Sequence, residues 1–174
     1  MSALKEKYDV TSTELSNKPS DPSKYNEALK KLCSLSSTEE LSYILRHIIN
    51  FGTSQPFNIN VFRSGISASW EDPANVTGCS WSVQCKAEVS NLIFERMAIY
   101  FLINGYGKFQ CNGISANVRK NFVKFSIWSK NVPLVSDGLD VLEELRDSLG
   151  VDSSVEFAYK NHRELLENVA KYEK

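Results

Sequence analysis

Apolar and polar residues are spaced along this chain in ways that predict most of its elements. Tyr8 to Leu15 alternates weakly and is rich in Thr, Val and Tyr, which suits a first strand. Asn17 to Ser23 carries Pro19, Asp21 and Pro22 and reads as a loop. Between Tyr25 and Leu35, the spacing of Ala28, Leu29 and Leu32 fits a helix, while the position in the element order fits a strand; both stay open. Ser36-Ser37-Thr38-Glu39-Glu40 holds two overlapping capping boxes, each a Ser with Glu three residues later. The helix they start has Leu41, Ile44, Leu45 and Ile48 as its apolar stripe and ends near Asn50 to Gly52. Phe57 to Phe62 alternates as a strand and Gly65 marks a turn. Ser67 to Ser80 is a polar loop carrying Trp70, and Trp81, Val83 and Cys85 then alternate with Ser82, Gln84 and Lys86 as a half-buried strand does.

A second helix fits Val89 to Ile103, stopped by Gly105 and Gly107. Two strands, Asn112 to Arg119 and Phe122 to Trp128, are joined by a tight turn. A third helix covers Gly138 to Leu149, with Leu139, Leu142, Leu145 and Leu149 on one face and Gly150 as its C-terminal cap. Val155 to Tyr159 is the last strand, and the tail from His162 has a helical charge pattern. Strands outnumber helices and several are hairpin-linked, so the expected class is α+β, an antiparallel sheet with helices packed on one face. No repeat or linker divides the chain. One domain over residues 1–174 is expected, with residues 1–7 flexible and 163–174 a helical tail.

Composition narrows the function. With 174 residues, 42% hydrophobic and 24% charged, the chain can bury a core without disulfides or a structural metal. Its net charge of -1 disfavours general coating of RNA or DNA, which needs a strongly basic surface, but leaves room for a compact anion site. No stretch approaches the roughly 18 apolar residues of a membrane span. Cys33, Cys79, Cys85 and Cys111 lack CxxC spacing and are expected to be reduced. With no leader-like start, the expected location is the cytoplasm.

Trp70 stands in a polar loop directly before Glu71 and Asp72. An isolated Trp is usually a core anchor, but the neighbours Ser67, Ser69, Glu71, Asp72, Pro73 and Asn75 argue for exposure, and an exposed Trp is a stacking platform for a base. An ionised Glu71 would accept from the two donors on the Watson–Crick edge of guanine; on residue type alone a solvated loop acid is the better reading, and the adjacent Trp70 makes the guanine reading competitive. Arg119 and Lys124 flank the turn between two strands and can converge on one phosphate chain, or be ordinary hairpin charges. Trp128 is core, site lining or both.

Val61-Phe62-Arg63-Ser64-Gly65-Ile66, then Trp70-Glu71-Asp72, Asn75, Gly78 and Trp81, resemble the central signature of the eukaryotic translation initiation factor 4E family. Ala116-Asn117-Val118-Arg119, Lys124 and Ile127-Trp128 resemble that family's later hairpin, and the likeness spans roughly Tyr25 to His162. The resemblance implies a curved antiparallel sheet with helices on its convex face and a slot for the 7-methylguanosine cap of mRNA on its concave face, in the service of translation initiation. By position it implies Trp70 and Tyr25 as the stacking faces, Glu71 as the guanine reader, Arg119 and Lys124 on the triphosphate, and Trp128 near the methyl group; Asp72 is then structural in its loop.

It further implies a scaffold partner of the 4G type on the convex face, touching the helix that starts at Thr38. Ser42 stands where that family exposes a Trp, so other apolar residues, around Phe94 and Met97, are the candidate contacts. Ser80 stands where a basic residue often assists phosphate binding. No cofactor or metal is expected, and a monomer is. The competing readings are a cap-binding translational repressor, a general RNA-binding module, and an enzyme. The last has little support, because adjacent carboxylates in an extended segment point opposite ways and His47 and His162 lie far apart.

Overall fold

The computed structural model describes residues 2–14, 29–48 and 50–172, the last four of them by backbone alone. Tyr25 and the loop from Asn17 to Ser23 lie outside the described residues. Seven strands are present among those described: β1 (Ala3–Glu14), β2 (Lys30–Ser37), β3 (Phe57–Arg63), β4 (Cys79–Lys86), β5 (Cys111–Val118), β6 (Phe122–Ser129) and β7 (Ala158–Asn161). They form one curved sheet in the order β2-β1-β3-β5-β6-β4-β7, antiparallel throughout. The helices are α1 (Thr38–His47), α2 (Ala87–Ile99), α3 (Gly138–Leu149) and α4 (His162–Tyr172).

The start of β1 differs from the expected flexible end. Ala3 pairs with Ser37, Thr38 N–H donates to the Ser2 carbonyl at 3.0 Å, and Arg63 forms an ion pair with Glu6. Of the two capping boxes, the backbone uses Ser37 with Glu40. The Ser37 hydroxyl accepts from Glu40 N–H at 3.2 Å, and the Glu40 carboxylate accepts from Ser37 N–H at 3.1 Å. Helix α2 ends by widening into a π-helical turn, Tyr100–Asn104, closed by Gly105 N–H donating to the Tyr100 carbonyl at 2.8 Å.

One face of the sheet carries Tyr8, Val10, Ile59, Val61, Ile114, Ala116, Val123, Phe125, Ile127 and Trp81, and α1, α2 and α3 cover it with Leu41, Phe94, Met97, Ala98, Val141, Leu145 and Leu149. Two expectations change here. The buried face of α3 is Val141, Leu145, Ser148 and Leu149, at the i, i+4, i+7, i+8 spacing; Leu139 points to solvent and Leu142 is half-buried. Phe94 and Met97 are 1% and 0% exposed, so they pack the core and present nothing to a partner. The helix turns Leu92 and Ile99 outward instead. Truncating Phe94 to Ala would cost about 3–5 kcal/mol of stability as a core deletion.

The opposite face has no helix from α1 to α3 and is polar. Register sets it in rows: Asn58, Asn117, Lys124 and Gln84; then Asn60, Ser115, Ser126 and Ser82; then Phe62, Gly113, Trp128, Ser80 and Lys160. Strand β7 begins at Ala158, three residues later than the pattern of Val155 to Tyr159 suggests. Val155 instead sits in a turn, its N–H donating to the Asp152 carbonyl at 3.2 Å, and its own carbonyl accepts from Arg146 Nε at 3.3 Å.

Candidate functional site

The segment 64–78 between β3 and β4 lies over the third row, and some of its polar side chains, Ser69 and Asn75 among them, are turned inward. Asn75, fully buried, donates from Nδ2 to the carbonyls of Ser67 and Ser69, both at 2.9 Å, and accepts at Oδ1 from Asn112 Nδ2 at 3.0 Å. Asp72 accepts from the backbone N–H groups of Ser67 (2.7 Å) and Ala74 (2.9 Å), a structural task. Ser69 and Asn75 are therefore buried, although polarity alone points them outward. Their hydrogen bonds to loop backbone make burial tolerable.

That scaffold sets Trp70 half-buried against a small apolar cluster of Phe62, Ala68 and Trp128, with Ile66 at its edge. Phe62 and Trp128 meet edge to face, centroids 5.5 Å apart. They can do so because the residue between them in the row is Gly113, where a Cβ would fall 2.3 Å from the Phe62 ring. Trp128 is held in orientation by its indole N–H, which donates to the Ser115 hydroxyl at 3.3 Å, and by His162, whose ring lies 4.8 Å away. Trp128 is thus buried in the cluster against which Trp70 packs. Glu71 is exposed beside Trp70, its backbone N–H reaching the Ser69 hydroxyl at 3.3 Å.

A cluster of cations lies on the same face. Arg119 is braced by Nη1 donating to Asn58 Oδ1 at 3.0 Å and to its neighbour Val118's carbonyl at 2.8 Å. Asn58 is itself fixed by Asn117 Nδ2 at 2.8 Å. The Lys124 ammonium has its pKa pushed below the usual lysine value, first by burial and then by the charges of Lys160 and Arg119. Such mutual repulsion marks a place that a bound anion would relieve. Lys160 also sets its ammonium over the Trp70 ring, 5.8 Å from the centroid.

The structure thus brings Trp70, Trp128, Glu71, Arg119 and Lys124 to one face and leaves Tyr25 outside the described residues. Thr38 opens α1 with its hydroxyl donating to the Ser2 carbonyl at 3.3 Å, and Ser42 is half-buried on that helix. Lys160 escapes the sequence pattern because it sits in a polar stretch; only its pairing with Ser80 reveals its place. A cavity of about 740 Å³ lies on the other side of the sheet, between α1 and strands β1 and β3, and is lined by Val10, Leu32, Ile44, Ile48 and Ile59 among others. Among the described residues no group of His, Cys, Asp or Glu is arranged to hold a metal, and no helix is long and apolar enough to cross a membrane. Cys79 and Cys111 are buried thiols with pKa values pushed up to about 12 by burial.

A seven-stranded antiparallel sheet backed by helices, with aromatic rings and clustered cations on its open face, defines a small α+β protein suited to a planar ligand carrying an anionic chain. The family model of eukaryotic initiation factor 4E matches residues 3–174. The chain belongs to that family. It is 26% identical over 157 residues to eukaryotic translation initiation factor 4E-2 of Schizosaccharomyces pombe, a match covering 84% of this chain and 62% of that protein. It is 25% identical over 151 residues to initiation factor NCBP of Oryza sativa, covering 85% and 66%. The chain therefore spans a little under two thirds of the length of these relatives. Among solved structures it is similar to initiation factor 4E-3 of Caenorhabditis elegans, in complex with the 4E-binding protein Mextli and a cap analog (TM-score 0.80, 19% identity, 95% of each chain). It is also similar to the 4E-3 factor of Ascaris suum with m7G cap (TM-score 0.77, 21% identity, 92% of this chain and 91% of that one). At these identities the structural likeness is one of fold.

Proposed function

We propose that this chain binds the 7-methylguanosine 5′ cap of mRNA on the open face of its sheet and serves translation initiation in the cytoplasm. The observation that carries the proposal is the ring face of Trp70, which already accepts a cation, with the exposed Glu71 next to it in the chain and Arg119 and Lys124 on the same face. Methylation at N7 gives guanine a delocalised positive charge. Stacking, worth about 1–3 kcal/mol per ring, then gains a cation–π contribution of about 2 kcal/mol when water is excluded. Glu71 accepts from N1–H and N2–H of the base, while Arg119 by its fork and Lys124 as a point charge hold the phosphates. Trp128 lines the slot on the side of the methyl group, and Tyr25 is the second stacking face. After the cost of association, a dissociation constant on the order of micromolar or somewhat tighter follows.

The test is a titration with 7-methyl-GTP and with GTP, followed by tryptophan fluorescence. Trp70 and Trp128 report from the slot, while Trp81 is buried in the core on the other side of the sheet. Quenching by 7-methyl-GTP with much weaker binding of GTP supports the proposal; equal affinities, or no quenching, overturn it. The partner that fits is a 4G-type scaffold or a 4E-binding protein on the convex face; the worm factor is likewise seen in complex with a 4E-binding protein, Mextli. Since Ser42 offers no large ring, a peptide bearing Tyr-x-x-x-x-Leu is expected to bind weakly, and Ser42→Trp to strengthen it. A pull-down with that peptide checks both.

A further inference from the structure

We propose that Lys160 is a cation of the slot with two positions, resting over Trp70 when the slot is empty and moving to the phosphate chain when a cationic base takes its place. The inference deepens the cap reading and rests on it. Three observations converge. The ammonium of Lys160 stands over the Trp70 ring, 5.8 Å from its centroid, so a base stacking on that face has to displace it. Register pairs Lys160 directly with Ser80, and Ser80 with Trp128, so the side chain rises from the row that floors the slot. Lys160 is also close enough to Lys124 for its charge to weigh on that ammonium. Among the described residues no hydrogen bond or carboxylate partner holds the Lys160 ammonium, so the cation–π contact is its tether.

Such a contact at a half-exposed site is weak, and an incoming methylated base competes for it with a larger, flatter and equally charged surface. A lysine stem has four rotatable carbons and reaches several ångströms without moving the backbone. Displaced from the ring, the ammonium can swing toward Lys124 and Arg119, where repulsion is relieved once phosphates arrive. Ser80 carries no charge, and its strand partner across β4 and β7 supplies one. The two positions make Lys160 oppose a bare base and favour a base that brings phosphates, which is a device for selecting the cap over free methylated nucleoside.

The experiment compares 7-methylguanosine, which has no phosphate, with 7-methyl-GTP on wild type, Lys160→Gln and Lys160→Arg, with thermal melts to confirm the fold. In Lys160→Gln, 7-methyl-GTP is expected to bind about tenfold more weakly, the loss of one charge-assisted contact. Its salt dependence falls by about one phosphate contact, and the nucleoside binds more tightly. Lys160→Arg keeps the triphosphate affinity. Equal shifts on both ligands, no shift included, overturn the inference and leave cap binding standing. Weaker triphosphate with unchanged nucleoside keeps the phosphate role and overturns the resting position on Trp70. A wild-type protein that binds neither ligand overturns the cap reading itself, and this inference with it.

Discussion

His162 donates its Nδ1 hydrogen to the carbonyl oxygen of Asn75 at 2.8 Å, tying the end of the last strand to the loop that carries Trp70. The ring is fully buried, its Nε2 has no hydrogen-bond partner among the described residues, and it leans on Trp128. Burial pushes the imidazole pKa below 6.5, with the Asn75 bond opposing in part. The unfolded chain takes up a proton as pH falls through 6.5, while the folded chain resists until lower pH. The unfolded state therefore binds more protons in that window and stability drops as pH falls through it. Urea midpoints measured at pH 7.5 and 5.5 are expected to differ more for wild type than for His162→Gln. An equal pH dependence would mean that other groups set the acid limb.

Asn75 and Asn112 should matter to ligand binding without touching ligand. Asn75 satisfies two carbonyls of the loop and one side-chain amide, the Ser69 and Asn112 bonds fully buried and the Ser67 bond partly so. Asn75→Ala removes these three hydrogen bonds, each worth about 0.5–1.5 kcal/mol. The loop should loosen and cap affinity fall together with the melting temperature. A variant that melts early but binds 7-methyl-GTP like wild type would show that the loop holds Trp70 without this residue.

Much of this arrangement was legible in the sequence, and the exceptions share a cause. The β5–β6 hairpin, the capping box at Ser37 and the end of α3 at Gly150 are set by local chemistry, and they lie where periodicity and capping put them. What local pattern misjudged was decided by distant partners. Ser69 and Asn75 are polar yet buried, because loop carbonyls and Asn112 meet them. The strand of residues 158–161 follows the edge of β4 rather than its own apolar alternation, which hid Lys160. Phe94 and Met97 face the sheet, and a residue list of a helix does not by itself say which way the helix is rolled.

Glu71 separates recognition from stability. It is exposed, and among the described residues only its backbone is seen in a hydrogen bond, to Ser69, so Glu71→Gln should leave the unfolding free energy within about 0.5 kcal/mol of wild type. The amide can no longer accept two donors at once. Affinity for 7-methyl-GTP is expected to fall by about tenfold to a hundredfold, the worth of a hydrogen bond to a charged acceptor. Trp70→Ala should abolish binding. If Glu71→Gln binds as wild type does, that carboxylate does not read the guanine edge.

Gly113 tests whether the floor of the slot is as tightly fitted as its geometry indicates. A Cβ at this position would lie 2.3–2.5 Å from three ring carbons of Phe62, which is itself 2% exposed and has little space to retreat into. Gly113→Ala must therefore tilt Phe62, and with it the edge-to-face contact to Trp128, at a cost of about 1–3 kcal/mol. Because Trp70 packs against the same cluster as Trp128, 7-methyl-GTP should bind more weakly as well. Phe62→Leu frees the contested volume, so the double variant is expected to recover part of the loss, giving a coupling energy that additive behaviour lacks. Strictly additive losses would place the strain of Gly113→Ala in the strand backbone and clear Phe62 of any part in shaping the slot.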